Sequence, residues 1–205
     1  MTGPTRREEY AAATRQAVLD SASELFAKGG FAGTSLDQVA RAARVTRGAV
    51  YHHFENKQAL FQAVLEDLDA QTMAEVTERS AAAGSTWESA IAGLDAFLDR
   101  CLDRTYQRIC FEEGPAALGF VAWWQHGERH MAGLVTAVLE TLKAEGRIDV
   151  EDVAALGTVV YGAVTAGALG IARADDQAAA AAGVRTSLIR ILEGLAPPRG
   201  DATRR

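Results

Sequence analysis

Apolar residues recur along this chain at intervals of three and four, the spacing of one helical face, with little of the strict alternation that marks a strand. A first helix is predicted from about Thr5 to Lys28, opened by a Thr5–Glu8 capping box and closed by Gly29-Gly30. Val18, Ala22, Leu25 and Phe26 share its apolar face. Ser35 with Gln38 repeats the box and starts a short helix to about Ala43. Thr46 offers a hydroxyl N-cap to a third helix, which reaches about His53. Asn56 caps a long fourth helix through about Ala82, striped by Leu60, Val64, Leu68 and Met73. Gly84-Ser85 is the clearest break. Beyond it, helices are predicted over 86–103, 106–113, 120–144, 150–173 and 176–194, with Pro115 in the first turn of a restart and Asp149 and Asp175 at N-caps. The predicted class is all-α.

Composition changes this picture little. With 205 residues, 48% of them hydrophobic, the chain suffices for one large domain or two small ones. Two cysteines, Cys101 and Cys110, are too few for a disulfide framework and suit a reducing cytoplasm. The N-terminal residues lack the apolar core of a secretory leader. Val153 to Ala172 carries no charge, yet it is mostly Ala, Gly and Thr, with acids before it and no basic cluster to orient it. A buried bundle helix is expected there, and no membrane partner.

Net charge, −6, argues at first against a nucleic-acid partner. Its distribution removes the objection: residues 1–57 hold 8 Lys/Arg against 6 Asp/Glu, and the remainder 13 against 21. Screening hides charges beyond roughly 10 Å, so a local basic face can still bind phosphate.

The informative stretch is Thr34 to Lys57, TSLDQVARAARVTRGAVYHHFENK. Two short capped helices stand about three residues apart, which is helix-turn-helix geometry. Leu36, Val39, Ala40 and Val45 would face the core, as would Val50 and Phe54 from the second helix. The opposite face then presents Thr46, Arg47, Ala49, Tyr51, His52 and, just past the helix, Lys57. Arg47 carries a planar fork matching the two acceptors of guanine, and Gly48 and Ala49 let the backbone approach base edges. Thr34, Ser35, Thr46, Tyr51, His52 and Lys57 are phosphate-type donors that fix register without reading sequence.

The segment from about Thr14 to Leu65 resembles the DNA-binding domain of the TetR (tetracycline-repressor) family. The resemblance is carried by Ala22-x-x-Leu25-Phe26, Gly30-Phe31, Thr34-Ser35, Val39-Ala40, Ala43-x-Val45-Thr46 and Gly48-x-x-Tyr51-x-His53-Phe54-x-x-Lys57-x-x-Leu60. It implies an N-terminal three-helix DNA-binding domain followed by a C-terminal helical bundle that senses ligand and dimerises. It implies too that Arg47, Gly48 and Ala49 sit over bases while Thr34, Ser35, Thr46, Tyr51, His52 and Lys57 hold the backbone. One position departs: Arg44 stands where the family usually has glycine. Either the turn is altered, or Arg44 offsets its strain by meeting a phosphate.

The expected organisation is a DNA-binding domain over 1–57, a long joining helix over 57–82, a sensing and dimerising domain over 58–196, and a flexible tail over 197–205. Family members are homodimers, and the helices 150–173 and 176–194 suit this independently, with Gly157, Gly162, Ala166, Gly167 and Gly170 on one and Val184, Leu188, Ile191, Leu192 and Leu195 near the other. Phe97, Cys101, Phe111, Phe120, Trp123, Trp124, Tyr161 and Thr165 are candidates to line an effector site, an aromatic cavity with a few polar anchors. His126 and His130, four apart, could bind a metal with Glu112 or Glu113, but spacing fixes no third ligand and the pair reads as solvated. A metal- or redox-responsive regulator is therefore the alternative to a ligand-responsive repressor. No cofactor or metal is expected. Without a Gly-rich phosphate loop or a nucleophile elbow, the chain is not expected to be an enzyme.

Overall fold

Residues 5–197 are described by a computed structural model, and the predicted caps decide where its first four helices begin. Thr5 opens α1 (Arg6–Gly33) with the capping box, its N–H donating to the Glu8 carboxylate at 2.7 Å. Gly29-Gly30 does not end the helix. Gly30 takes φ 69° as a kink and a last turn runs on to Gly33. The Ser35–Gln38 box opens α2 (Leu36–Ala42), and Thr46 opens α3 (Arg47–His53) by accepting from the Ala49 N–H at 3.1 Å. Asn56 Oδ1 accepts from the Ala59 N–H at 2.8 Å at the head of α4 (Lys57–Ala81).

After α5 (Thr86–Arg100), α6 (Arg104–Tyr106) widens into a π-helical stretch, Gln107–Glu113, and continues as α7 (Gly114–Leu118) to a break at Gly119, φ 81°. The predicted helix over 120–144 is α8 (Phe120–Gly127) and α9 (Gly133–Ala144) joined by a second π stretch, Glu128–Ala132. Then follow α10 (Val153–Arg173) and α11 (Gln177–Glu193). Their caps are Asp152 and Asp176, not the expected Asp149 and Asp175. Asp152 and Asp176 each accept at 2.9 Å from the N–H three residues on, while the Asp149 N–H instead donates to the Leu195 carbonyl. No strand occurs among the described residues. The predicted tail lies outside them beyond Pro197.

Two compact units result. The first comprises the chain up to Gln71 with Asp103–Trp124; the second, Thr72–Leu102 with the chain from Gln125 onward. This division does not fall after residue 57. Leu60, Phe61, Val64 and Leu65 of α4 are buried in the first unit's core with Leu19, Phe26, Val39 and Val50, so the head of α4 belongs with the helix-turn-helix. Phe61 meets Phe26 and Phe31 edge-on, at centroid distances of 5.1 and 5.4 Å. Long-range bonds tie in the 103–124 segment, among them one from the Phe31 N–H to Glu113 Oε2 at 2.8 Å and one from the Tyr106 hydroxyl to Asp69 Oδ1 at 3.2 Å.

In the second unit, Leu139, Leu142 and Ile148 form a buried cluster flanked by Trp87, Val135, Val138 and Leu156. α10 packs against α9 and α11 at glycines. A Cβ on Gly157 would lie 2.5 Å from Thr136 Oγ1, and one on Gly167 would lie 2.6 Å from Val184 Cγ1. By length and composition, α10 is the one helix among the described residues that could cross a membrane, yet here it packs in a helical bundle.

Candidate nucleic-acid interface

The turn between α2 and α3 fixes how α3 leaves α2. Arg44 adopts φ 56°, the one left-handed non-glycine residue among those described. The Arg44 N–H donates to the Arg41 carbonyl at 3.2 Å and the Val45 N–H to the Ala40 carbonyl at 3.0 Å. That pair of bonds is a Schellman closure, whose C′ residue must be left-handed. The turn is therefore the ordinary glycine geometry, built with arginine.

Across the turn, apolar and polar residues separate. Leu36, Val39, Ala40, Val50 and Phe54 are buried, while Val45 is half-buried. Thr46, Arg47, Gly48, Tyr51 and His52 are exposed on α3, with Ala49 half-buried between them. No side chain restricts approach at Gly48, where the nearest atom to an added Cβ would be 3.9 Å away. An open groove of about 450 Å³ runs beside this face, bordered by Ser35, Asp37, Arg47, Tyr51, Asn56 and Lys57.

Several side chains in the groove are already committed. The Arg47 guanidinium lies against Asp37, with Nε 3.2 Å from Oδ1 and Nη1 donating to Oδ2 at 3.2 Å, and its Nη2 donates to the Tyr51 hydroxyl at 3.3 Å. The Tyr51 hydroxyl first, and the Asp37 charge second, raise the guanidinium above its ordinary value. Sequence reasoning missed Asp37. Ten residues separate it from Arg47, and a contact across a turn leaves no periodic signal. Lys57 donates from Nζ to the Phe31 carbonyl at 2.7 Å and lies 4.4 Å from that ring's centroid, so it closes the end of α1. Thr34 departs further from expectation. It is 4% exposed, and its hydroxyl is shared between the Gly30 and Leu25 carbonyls at 2.9 and 3.1 Å. A donor turned inward cannot also grip a phosphate; Thr34 ties the α1 kink instead. His53 is held below its ordinary value by burial, and then by His52 and Arg15.

Residues 18–64 match the family described as bacterial regulatory proteins, tetR family, and residues 87–195 match the tetracyclin repressor-like C-terminal domain. A crystal structure of a TetR-family transcriptional regulator from Pectobacterium atrosepticum superposes with a TM-score of 0.80 at 32% identity, covering 96% of this chain and 100% of that one. The chain belongs to the TetR family. It is a DNA-binding transcriptional regulator. The transposon Tn10 TetC protein of Escherichia coli is 25% identical over 162 residues, 79% of this chain and 82% of that protein. The regulator AcrR of Shigella flexneri is 47% identical over 61 residues, which is 30% of this chain and 28% of AcrR. Identity is thus higher over a short stretch than along the whole chain.

In this TetR-family chain the expected effector residues divide evenly between the units. Phe111, Phe120, Trp123 and Trp124 lie in the first; Phe97, Cys101, Tyr161 and Thr165 lie in the second. Trp123 is buried, its indole N–H donating to the Cys110 carbonyl at 2.7 Å, whereas Phe120 is 62% exposed. Tyr161 and Thr165 are buried on α10, as is Phe97 on α5. His126, read as solvated, is only 3% exposed; its ring lies 4.4 Å from that of His130, which is exposed. Glu112 and Glu113, considered as their metal partners, are both paired with Arg108. Cys101 and Cys110 are buried thiols, and burial pushes Cys101 well above its ordinary value. A thiol held protonated is a poor redox sensor.

Proposed function

We propose that this protein is a cytoplasmic repressor that binds a near-palindromic operator as a homodimer and releases it when a small molecule enters its helical domain. The observation that carries the reading is the face of α3, where Thr46, Arg47, Gly48, Tyr51 and His52 point outward from a helix anchored by buried Val50. Arg47, Gly48 and Ala49 lie over base edges, and Ser35, Thr46, Tyr51 and His52 hold the phosphate backbone. Lys57 acts with them by ordering the end of α1, and Arg44 supplies an exposed charge at the turn.

The dimer forms through α10 and α11. Gly157 and Gly167 serve packing within the subunit, which leaves Val159, Ala166, Gly170 and Ile191 exposed for the mate. Two-fold symmetry then sets the half-sites one DNA turn, or a multiple of it, apart. The effector binds among the aromatic residues of the middle helices. In the first unit, Glu113 ends the π-helical stretch and bonds the Phe31 N–H, while Lys57 bonds the Phe31 carbonyl, so the backbone of one residue is linked to both. An effector acts only by binding the two arrangements of such an element unequally. Neither the family nor the buried thiols favour a metal- or redox-responsive regulator.

Selection of genomic fragments by the purified protein, followed by titration of the recovered site, tests the reading. Operator affinity should fall steeply with salt, and Arg47→Ala should weaken it by about 1–3 kcal/mol, roughly five- to 150-fold. Val159→Glu with Ile191→Glu should yield monomers on sedimentation. Binding that ignores sequence would defeat the proposal.

A further inference from the structure

The geometry points to Arg15 as a further DNA-contacting residue, one that grips a backbone phosphate beside the C-terminal end of α3. The inference rests on the reading that α3 lies in the major groove. On α1, Arg15 continues the stripe of buried Val18, Leu19, Ala22 and Phe26 one turn past the point where the core ends, so its side chain emerges at the surface beside the helix-turn-helix. Its guanidinium carbon lies 5.5 Å from the ring centroid of Phe54, the buried C-cap residue of α3. His53 feels the same charge: after burial and His52, it is Arg15 that holds the imidazole below its ordinary value. The cation is therefore docked against the last residues of α3, although Arg15 itself is exposed.

Arg15 combines a fixed place with an unspent charge. Other cations of the first unit have fixed places but already face a partner: Arg47 lies on Asp37, Lys57 on the Phe31 carbonyl, Lys28 beside Glu24, and Arg108 between Glu112 and Glu113. Among the described residues Arg15 has no hydrogen-bond or ion-pair partner, and the Phe54 ring is what holds it. An aromatic ring attracts a guanidinium through its charge and leaves the N–H groups free for an acceptor. Binding a phosphate thus costs Arg15 no partner within the protein. Its position complements the donors already named. Ser35, Arg47, Tyr51 and Lys57 border one groove beside α3, and Arg15 lies outside it, by His53 and Phe54. A helix seated in the major groove runs between two phosphate strands, so donors gathered on one side hold one strand only. Arg15 supplies a charge-assisted donor for the other, and that contact is blind to sequence.

The test titrates the full-length protein with the recovered operator and with a shuffled duplex of equal length and composition, over a range of salt. Arg15→Met keeps an apolar stem on Phe54 and removes the charge. It should weaken both duplexes by one common factor, about three- to tenfold, and lower the salt slope by about 0.9 for each half-site. The operator-to-shuffled ratio should stay within about twofold, because a phosphate contact carries no sequence information. Arg15→Lys, which restores the charge, should keep the natural slope. Arg15→Gln provides the same loss of charge should the methionine variant fold poorly. Lys28→Met, which removes a charge elsewhere on α1, should leave the slope as it was. An unchanged slope in Arg15→Met overturns the inference and leaves Arg15 as a cover for Phe54. An equal fall in Lys28→Met overturns it too, since net charge would then explain the loss. If the natural protein prefers neither duplex, or Arg47→Ala leaves the preference intact, base reading by α3 has failed instead; the ratio and the slope tell the two failures apart.

Discussion

Arg44 holds φ 56° because the Schellman closure of α2 demands a left-handed residue there, and that conformation costs a side-chain-bearing residue about 1–2 kcal/mol. Glycine removes the cost but gains conformational freedom in the unfolded chain, which returns about 0.4–1 kcal/mol. The net expectation for Arg44→Gly is a gain of about 0.5–1 kcal/mol in stability. For a chain of this size each kcal/mol moves Tm by about 2–4 °C, so a rise of about 1–4 °C is expected. Thermal and urea unfolding, followed by circular dichroism at one protomer concentration, measure it; concentration must be fixed because dimerisation itself stabilises. Arg44→Ala is the necessary companion, since it removes the charge yet keeps the strain, and it should show no gain. The same pair reports on DNA. If the exposed guanidinium meets a phosphate, both variants should weaken operator and shuffled duplex alike and reduce the salt slope by about one. Equal stabilisation by glycine and alanine, or a loss with glycine, would refute the reasoning about the turn.

Thr34→Val removes a buried hydroxyl and leaves the Gly30 and Leu25 carbonyls without that donor; it should cost about 1–3 kcal/mol in urea unfolding while the salt slope of operator binding stays unchanged. A lowered slope would return Thr34 to the phosphate contacts. His53 favours its neutral form in the folded state, so the unfolded chain takes up the proton first as pH drops. Its contribution is full above the ordinary value of about 6.5 and is lost as pH falls below it. The stability difference between pH 7.5 and pH 5 should therefore shrink in His53→Gln. Gly167→Ala drives a methyl toward Val184 and should cost about 1–3 kcal/mol, whereas Gly170, with open space around it, should accept alanine in the monomer. A Gly170→Leu variant that sediments as the natural protein does would remove that residue from the dimer face.

Much of the candidate interface was legible because it depends on local chemistry. Ser35–Gln38 and Thr46 open α2 and α3 where their hydroxyls predict, since a cap acts within one turn of its own helix. The three- and four-residue spacing placed Val39, Val50 and Phe54 inside and Arg47, Tyr51 and His52 outside. Arg44 was visible as a departure from a glycine position. What escaped was set by distant partners. Asp37 on Arg47, Phe31 on Lys57, and the inward turn of Thr34 each join residues whose separation carries no period. The π-helical stretches escaped too, because one extra residue per turn shifts the apolar face without changing its composition.

From the chain alone came the all-α class, the starts of the first four helices and the exposed face of α3. Each of these is decided by caps and periodicity acting over a turn or two. Tertiary structure decided how the helices group, that the head of α4 and the 103–124 segment share a core with the helix-turn-helix, and which polar groups are left to meet DNA. Such choices depend on which partner a side chain reaches across tens of residues, and only the packed fold settles that competition.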